Sequence, residues 1–557
     1  YDSRGLLIES QWPENKVTIS NDAPTLRPLL IAATSGPSLS LAWDGGLLTN
    51  MIAGGSVTGT VSFAYNNDLA VSGIAFNGAS VAYRYDGDGL LTNAGAMSLR
   101  RNAQNGFLTN ATLGAVTDSR QFNGFGEMRS YSALSNGTEI LGLEYGYDTV
   151  GQITGQVERV GGQTIVWTYA YDAAGRLSQT WSNGVSCATN QYDANGNRIN
   201  AVVGGVAKTG QYDAQDRLLS YGTATYQYDA HGTLTNKTDG GQATAYRYDA
   251  RGSLLQVRPG TNVIAYSVDA LGRRIARTKN GTTTQRFVYQ GFLSPIAELN
   301  ADGSVATRFV YATRPNVPDY MVRSGTTYRL VTDIRGSVRL VVNAANGAVV
   351  QRLDYDEWGR VLQDTNPGFQ PFGFAGGLYD PDTGLVRFGF RDYDPNTGRW
   401  LAKDPILFAG RRVNLYLYCH GEPINYVDRD GLSEDGDQIL QNIRDYYDAL
   451  EIVAKDRWWI NDGILEYMSL LGLSGGTWGP LDFKYQQRGP FRIGDRIVPG
   501  DYFGNFVAGY QAGYGDAPGL LAGVFLGGQY WACSPGDEPA GDEDSYPAIS
   551  DGFVAGR

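Results

Sequence analysis

Apolar and polar positions alternate over most of the chain, and the alternation keeps returning to one tyrosine-rich phrase. It reads YRYDGDGLLTN at 83–93, YGYDTVGQIT at 145–154 and YAYDAAGRLSQ at 169–179. It continues as QYDANGNRIN (191–200), QYDAQDRLLS (211–220), YQYDAHGTLTN (226–236) and YRYDARGSLLQ (246–256), then YSVDALGRRIA (266–276) and LDYDEWGRVLQ (353–363). Where two tyrosines stand two apart, they share one face of a strand. The aspartate that follows is expected to accept backbone N–H bonds in a turn, and the glycine three residues later to take positive φ. The leaving segment, such as RLSQ or LLTN, reads as the returning strand. From Asp172 through Asp193, Asp213, Asp229, Asp249 and Asp269 the steps are 21, 20, 16, 20 and 20 residues. Each unit is a hairpin that cannot bury a face alone, so this period predicts a stacked β array.

Composition agrees with mostly β structure: Gly contributes 74 residues and Tyr 36, types that favour turns and strands. Cys187, Cys419 and Cys533 are few, odd in number and far apart, which gives no disulfide framework and no cysteine zinc site. His231 and His420 are the two histidines, so no histidine metal cluster is expected, and no cofactor. No apolar run approaches the roughly 20 residues of a spanning helix. The opening YDSRGLLIES looks like the middle of a repeat, so the chain is expected to be part of a longer protein.

The phrase stops at Leu432, and the charge changes there. Residues 433–557 hold 8 Lys/Arg against 19 Asp/Glu, whereas the first 432 hold 37 against 38. Two differently composed units are joined at this point. In the second, Ile439, Ile443, Tyr446, Leu450 and Val453 are spaced as one face of a helix, and DGILEYMSLLGL (462–473) reads as another. LDFKYQQRGPFRIGDRIV (481–498) reads as short strands or loop, which makes a small α+β domain.

The YD units resemble the repeats of RHS proteins, of the insecticidal toxin-complex C components and of the teneurins. YRLVTDIRGSVRLVV (328–342) and RFGFRDYDPNTGRWLAKDP (387–405) resemble the segments that close the RHS core. The resemblance implies a spiralling antiparallel YD-repeat β-shell at 1–365, a closing segment with an aspartyl autoprotease plug at 366–432, and a variable C-terminal toxin at 433–557. An unrelated tyrosine-rich solenoid is the plainer alternative.

RHS cores end in two spaced Asp-Pro-x-Gly motifs and cut themselves after the second. Here the first stands at Asp404-Pro405-Ile406-Leu407 and the second at Asp428-Arg429-Asp430-Gly431. The match places the catalytic pair at Asp404 and Asp428, the cut between Leu432 and Ser433, and Arg391 near the pair. Two adjacent carboxylates suit such chemistry, because one retains a proton while the other acts as base. This chain departs from the pattern in having Leu407 for Gly and Arg429 for Pro, and Asp430 adds a third carboxylate.

The C-terminal unit resembles the polymorphic toxin type 44 family through GPLDFK (479–484), DYFGNF (501–506) and a closing ISDGF, with a core about 475–555. That resemblance implies a ribonuclease, with Asp482, Lys484, Asp501 and Asn505 as candidate toxin residues. Capping or turn roles for Asn505, Asp482 and Asp501 are the structural alternative. The acidity disfavours a polyanionic substrate, and carboxylates with many aromatics better suit a sugar polymer, as in cleavage of cell-wall glycan. The expected partners are a cognate immunity protein, a secretion-system component, and RNA or glycan in the target cell. The expected location is secreted or delivered from a bacterium, with a cell-surface adhesion protein of the teneurin kind as the alternative.

Overall fold

The computed structural model describes residue 2 and residues 6–12, 15–34, 36–410 and 413–432, with two short paired strands, Phe491–Ile493 and Arg496–Val498. The helices expected near 437–453 and 462–473 lie outside the described residues, as do Ser433, Asp482, Lys484, Asp501 and Asn505.

Among the described residues, thirty-five strands, from Glu9–Trp12 to Val361–Asp364, form one sheet. Each is antiparallel to its sequence neighbour, as Gln163–Tyr171 is to Leu177–Ser182 and that strand to Val185–Tyr192. The fold is therefore nearly all β, a long meander of hairpins.

The phrase read in the sequence makes the turns. Asp172 Oδ1 accepts the N–H groups of Ala174 and Arg176 at 2.9 and 3.0 Å, and Asp269 Oδ1 those of Leu271 and Arg273, both at 3.0 Å. Gly175 and Gly272 supply the left-handed residue, φ 77° and 79°. Asp216 occupies that position in its own unit at φ 59°, a conformation that aspartate tolerates better than most residues.

A tyrosine that ends the strand before a turn does more than pack in several units. There its hydroxyl donates to the carbonyl of the residue that starts the returning strand of the preceding hairpin. Tyr192 reaches Leu177 O at 2.7 Å, Tyr212 reaches Arg198 O at 2.9 Å and Tyr289 reaches Arg274 O at 2.7 Å. These units are thereby tied to the ones before them, which phenylalanine could not do.

Distant stretches of the sheet also meet. Ala115 N–H donates to Ala344 O at 2.7 Å, and the buried Asp118 and Glu158 pair with Arg329 and Arg339 at 2.7 and 2.5 Å. A side chain at Gly114 would collide with Ala344 O.

After Asp364 the chain leaves this sheet. Leu378–Asp380, Leu385–Phe388, Arg391–Asp394 and Arg399–Trp400 form a small antiparallel sheet. Phe374, Phe388, Tyr393, Trp400 and Tyr418 pack into its aromatic core. This closing segment is stitched to the YD hairpins by polar contacts. Tyr266 and Arg277 hold Asp380, Arg274 and Arg387 hold Asp392 (2.7 and 2.8 Å), and Asn414 Nδ2 donates to Asn197 Oδ1 at 2.8 Å.

Candidate functional site

Arg391 begins the third strand of the small sheet, and its guanidinium gathers the residues singled out in the two aspartate motifs. Its Nη2 lies 2.9 Å from Asp404 Oδ2 and 3.0 Å from Asp428 Oδ2. Nη1 donates to Leu415 O at 3.3 Å, and Nε donates to Gly431 O. The guanidinium carbon lies over the Trp400 ring, 4.2 Å from its centroid. All three charged side chains are buried. The Arg391 guanidinium therefore bridges two carboxylates at a buried site.

Local structure explains how each group is aimed. Asp404 N–H donates to Leu415 O at 3.0 Å, and Asp404 Oδ1 accepts Ile406 N–H at 3.0 Å. Leu407 then takes φ 52°. Asp428 Oδ1 accepts the N–H groups of Gly431 and Leu432 at 2.7 and 3.1 Å, while its Oδ2 faces Arg391. Gly431 takes φ 77°. Leu407 thus reproduces the left-handed turn that glycine makes in the second motif. Arg429, at the proline position, is buried.

Asp430, read from the sequence as a third carboxylate, has a different place. Its Oδ1 accepts Leu432 N–H at 2.9 Å and its carbonyl accepts Phe390 N–H at 2.7 Å. The signal for this lay in the sequence: an aspartate accepting the N–H two residues on is the geometry of every YD turn.

Between the motifs, Glu422 is buried and accepts Ile424 and Asn425 N–H at 3.1 and 2.9 Å. Asn425 in turn accepts Ile153 N–H at 2.8 Å. Burial pushes the Glu422 carboxyl up to about 7, against the lowering effect of these bonds. Among the described residues no group of three or more His, Cys, Asp or Glu is placed to hold a metal ion, and no helix is long and apolar enough to cross a membrane.

The teneurin YD-shell family matches residues 1–424, which takes in the whole long sheet and the first aspartate motif. The chain belongs to this family. Similar proteins include human Teneurin-4, 28% identical over 328 residues, covering 56% of this chain and 12% of the teneurin. A double-stranded DNA deaminase toxin A of Burkholderia cenocepacia is 28% identical over 338 residues, covering 54% of this chain and 23% of the toxin. This YD-shell chain therefore spans under a quarter of the length of either relative. Among solved structures, a TcdB2–TccC3–Cdc42 crystal structure aligns with TM-score 0.52 and 15% identity, over 79% of this chain and 24% of that one. A Photorhabdus luminescens Tc holotoxin pore aligns with the same score and identity, over 75% and 23%. These structural likenesses show a shared fold.

Proposed function

We propose that this chain is the YD-shell of a bacterial polymorphic toxin, which severs itself after Leu432 and leaves residues 433–557 as the toxic cargo. The observation that carries this reading is Arg391, whose one nitrogen holds both Asp404 and Asp428 while its Nε holds the carbonyl of Gly431. Both carboxylates are thereby kept beside the last described peptides of the shell.

The chemistry follows from acid–base roles. One carboxylate takes a proton from water as its oxygen attacks the Leu432 carbonyl carbon. The other, protonated, donates to the carbonyl oxygen. The tetrahedral intermediate collapses, the C–N bond to Ser433 breaks, and the Ser433 nitrogen leaves as an amine carrying the transferred proton. Arg391 orients the pair and balances its charge. No cofactor takes part.

The cargo is assigned as a ribonuclease of the type 44 kind, using Asp482, Lys484, Asp501 and Asn505. A glycan hydrolase is the alternative that its acidity favours. Delivery from the producing bacterium calls for a secretion-system component, and survival of the producer calls for a cognate immunity protein. Sequencing the new N-terminus and expressing residues 433–557 in a susceptible bacterium test the reading: a start at Ser433 and growth arrest are expected. RNA and peptidoglycan digests then separate the two substrates.

A second reading is favoured by the 28% identity to Teneurin-4, namely a non-enzymatic surface adhesion protein. It expects an uncut chain and a harmless C-terminal segment.

A further inference from the structure

We infer that Asp430 is a positioning residue of the self-cleavage site: its side-chain oxygen fixes the Leu432 peptide, and it takes no part in proton transfer. The inference rests on the cleavage reading above.

The peptide joining Gly431 to Leu432 is held at both ends. Its carbonyl accepts Arg391 Nε, and its N–H is shared by Asp430 Oδ1 at 2.9 Å and Asp428 Oδ1 at 3.1 Å. With that peptide plane fixed, only φ and ψ of Leu432 remain to aim the carbonyl that water attacks. Asp428 cannot serve as the sole anchor, because its Oδ1 also accepts Gly431 N–H and its Oδ2 faces Arg391.

Asp430 is itself held by the surrounding chain. Its carbonyl accepts Phe390 N–H at 2.7 Å, and a side chain at Gly389 would collide with that same carbonyl. The backbone that carries Asp430 is therefore pressed against the turn leading into Arg391. The guanidinium that joins the acid pair forms its ion pairs with Asp404 and Asp428. Asp430 meets the scissile region through an N–H, and that requires an acceptor rather than a charge.

This role separates the variants. An amide oxygen accepts an N–H as a carboxylate does, so Asp430→Asn keeps the anchor. Asp430→Ala removes it, and loosened alignment of reacting groups slows such steps by about 10- to 100-fold.

The experiment is cell-free synthesis of the full chain with a labelled pulse, followed by the appearance of the 433–557 fragment over time at several pH values. Asp430→Asn is expected to cut within about threefold of the parent rate, as a retained hydrogen bond implies, with an unmoved pH profile. Asp430→Ala is expected to cut about 10- to 100-fold more slowly, also with an unmoved profile. Asp430→Ser, which keeps a short acceptor, should fall between them and covers the case in which the alanine variant does not fold. Parental rates in Asp430→Ala overturn the inference alone. So does an Asp430→Asn rate as low as the alanine variant's, or a shifted profile, since either makes Asp430 a proton-transfer group. A parent chain that stays intact overturns the cleavage reading itself, and this inference with it.

Discussion

Leu407 and Gly431 close the two aspartate turns with the same left-handed backbone, φ 52° at the first and 77° at the second. At Gly431 a Cβ would stand 2.6 Å from Phe388 O, so no other residue fits. Leu407 has room, being 50% exposed, but an L-residue in this region is strained by roughly 1–2 kcal/mol. Leu407→Gly is expected to stabilise the chain by up to about 1 kcal/mol, after the extra freedom of glycine in the unfolded state is subtracted. A raised urea midpoint is the readout, and a lowered one would mean that the Leu407 side chain contributes more than its exposure implies.

Asp392 is the shared counter-charge of Arg274 and Arg387, all three buried where the closing segment meets the long sheet. Asp392→Asn leaves two guanidinium groups without it. Breaking a buried pair in this way costs about 3–5 kcal/mol, so the variant should unfold at clearly lower denaturant. Unchanged stability would show that water reaches this junction.

Tyr289→Phe tests the tie between successive hairpins. The hydroxyl donates to Arg274 O at 2.7 Å in a buried setting, and deleting it should cost about 1–2 kcal/mol. A thermal-unfolding comparison decides it: a neutral substitution would make Tyr289 a packing residue alone.

These contacts mark the limit of what the sequence reveals. The Asp and Gly of each YD turn are legible because their bonds close within four residues, as at Asp172 and Gly175. Shared-face tyrosines are legible from their spacing of two. The hydroxyl tie of Tyr192 to Leu177 spans two hairpins, so its only trace is the preference for Tyr, 36 residues against 20 of Phe. Pairs such as Arg339 with Glu158 or Arg274 with Asp392 join residues more than a hundred positions apart and leave no local pattern. At the candidate site, the motif resemblance named Asp404, Asp428 and Arg391, and the fold brings them together. It did not show that Leu407 adopts the glycine conformation, because a leucine gives no hint of positive φ.

Glu422 sets a pH dependence. Its carboxyl, raised by burial to about 7 from 4.5, holds its proton in the folded chain at pH values where the unfolded chain has lost it. Its contribution to stability is therefore greatest below about pH 4.5 and is lost as pH rises to about 7, a difference of about 3 kcal/mol. Glu422→Gln should flatten the stability profile across that window. A profile with the parental slope would assign the titration to other groups.

In the proposed cleavage, Arg391 assembles Asp404 and Asp428 to cut the chain after Leu432. Denatured intact masses of the parent, Asp404→Asn and Asp428→Asn proteins test it most directly. Two fragments are expected from the parent, divided between Leu432 and Ser433, and a single full-length species from each variant. A full-length parent, or variants that divide at the same bond, would contradict it.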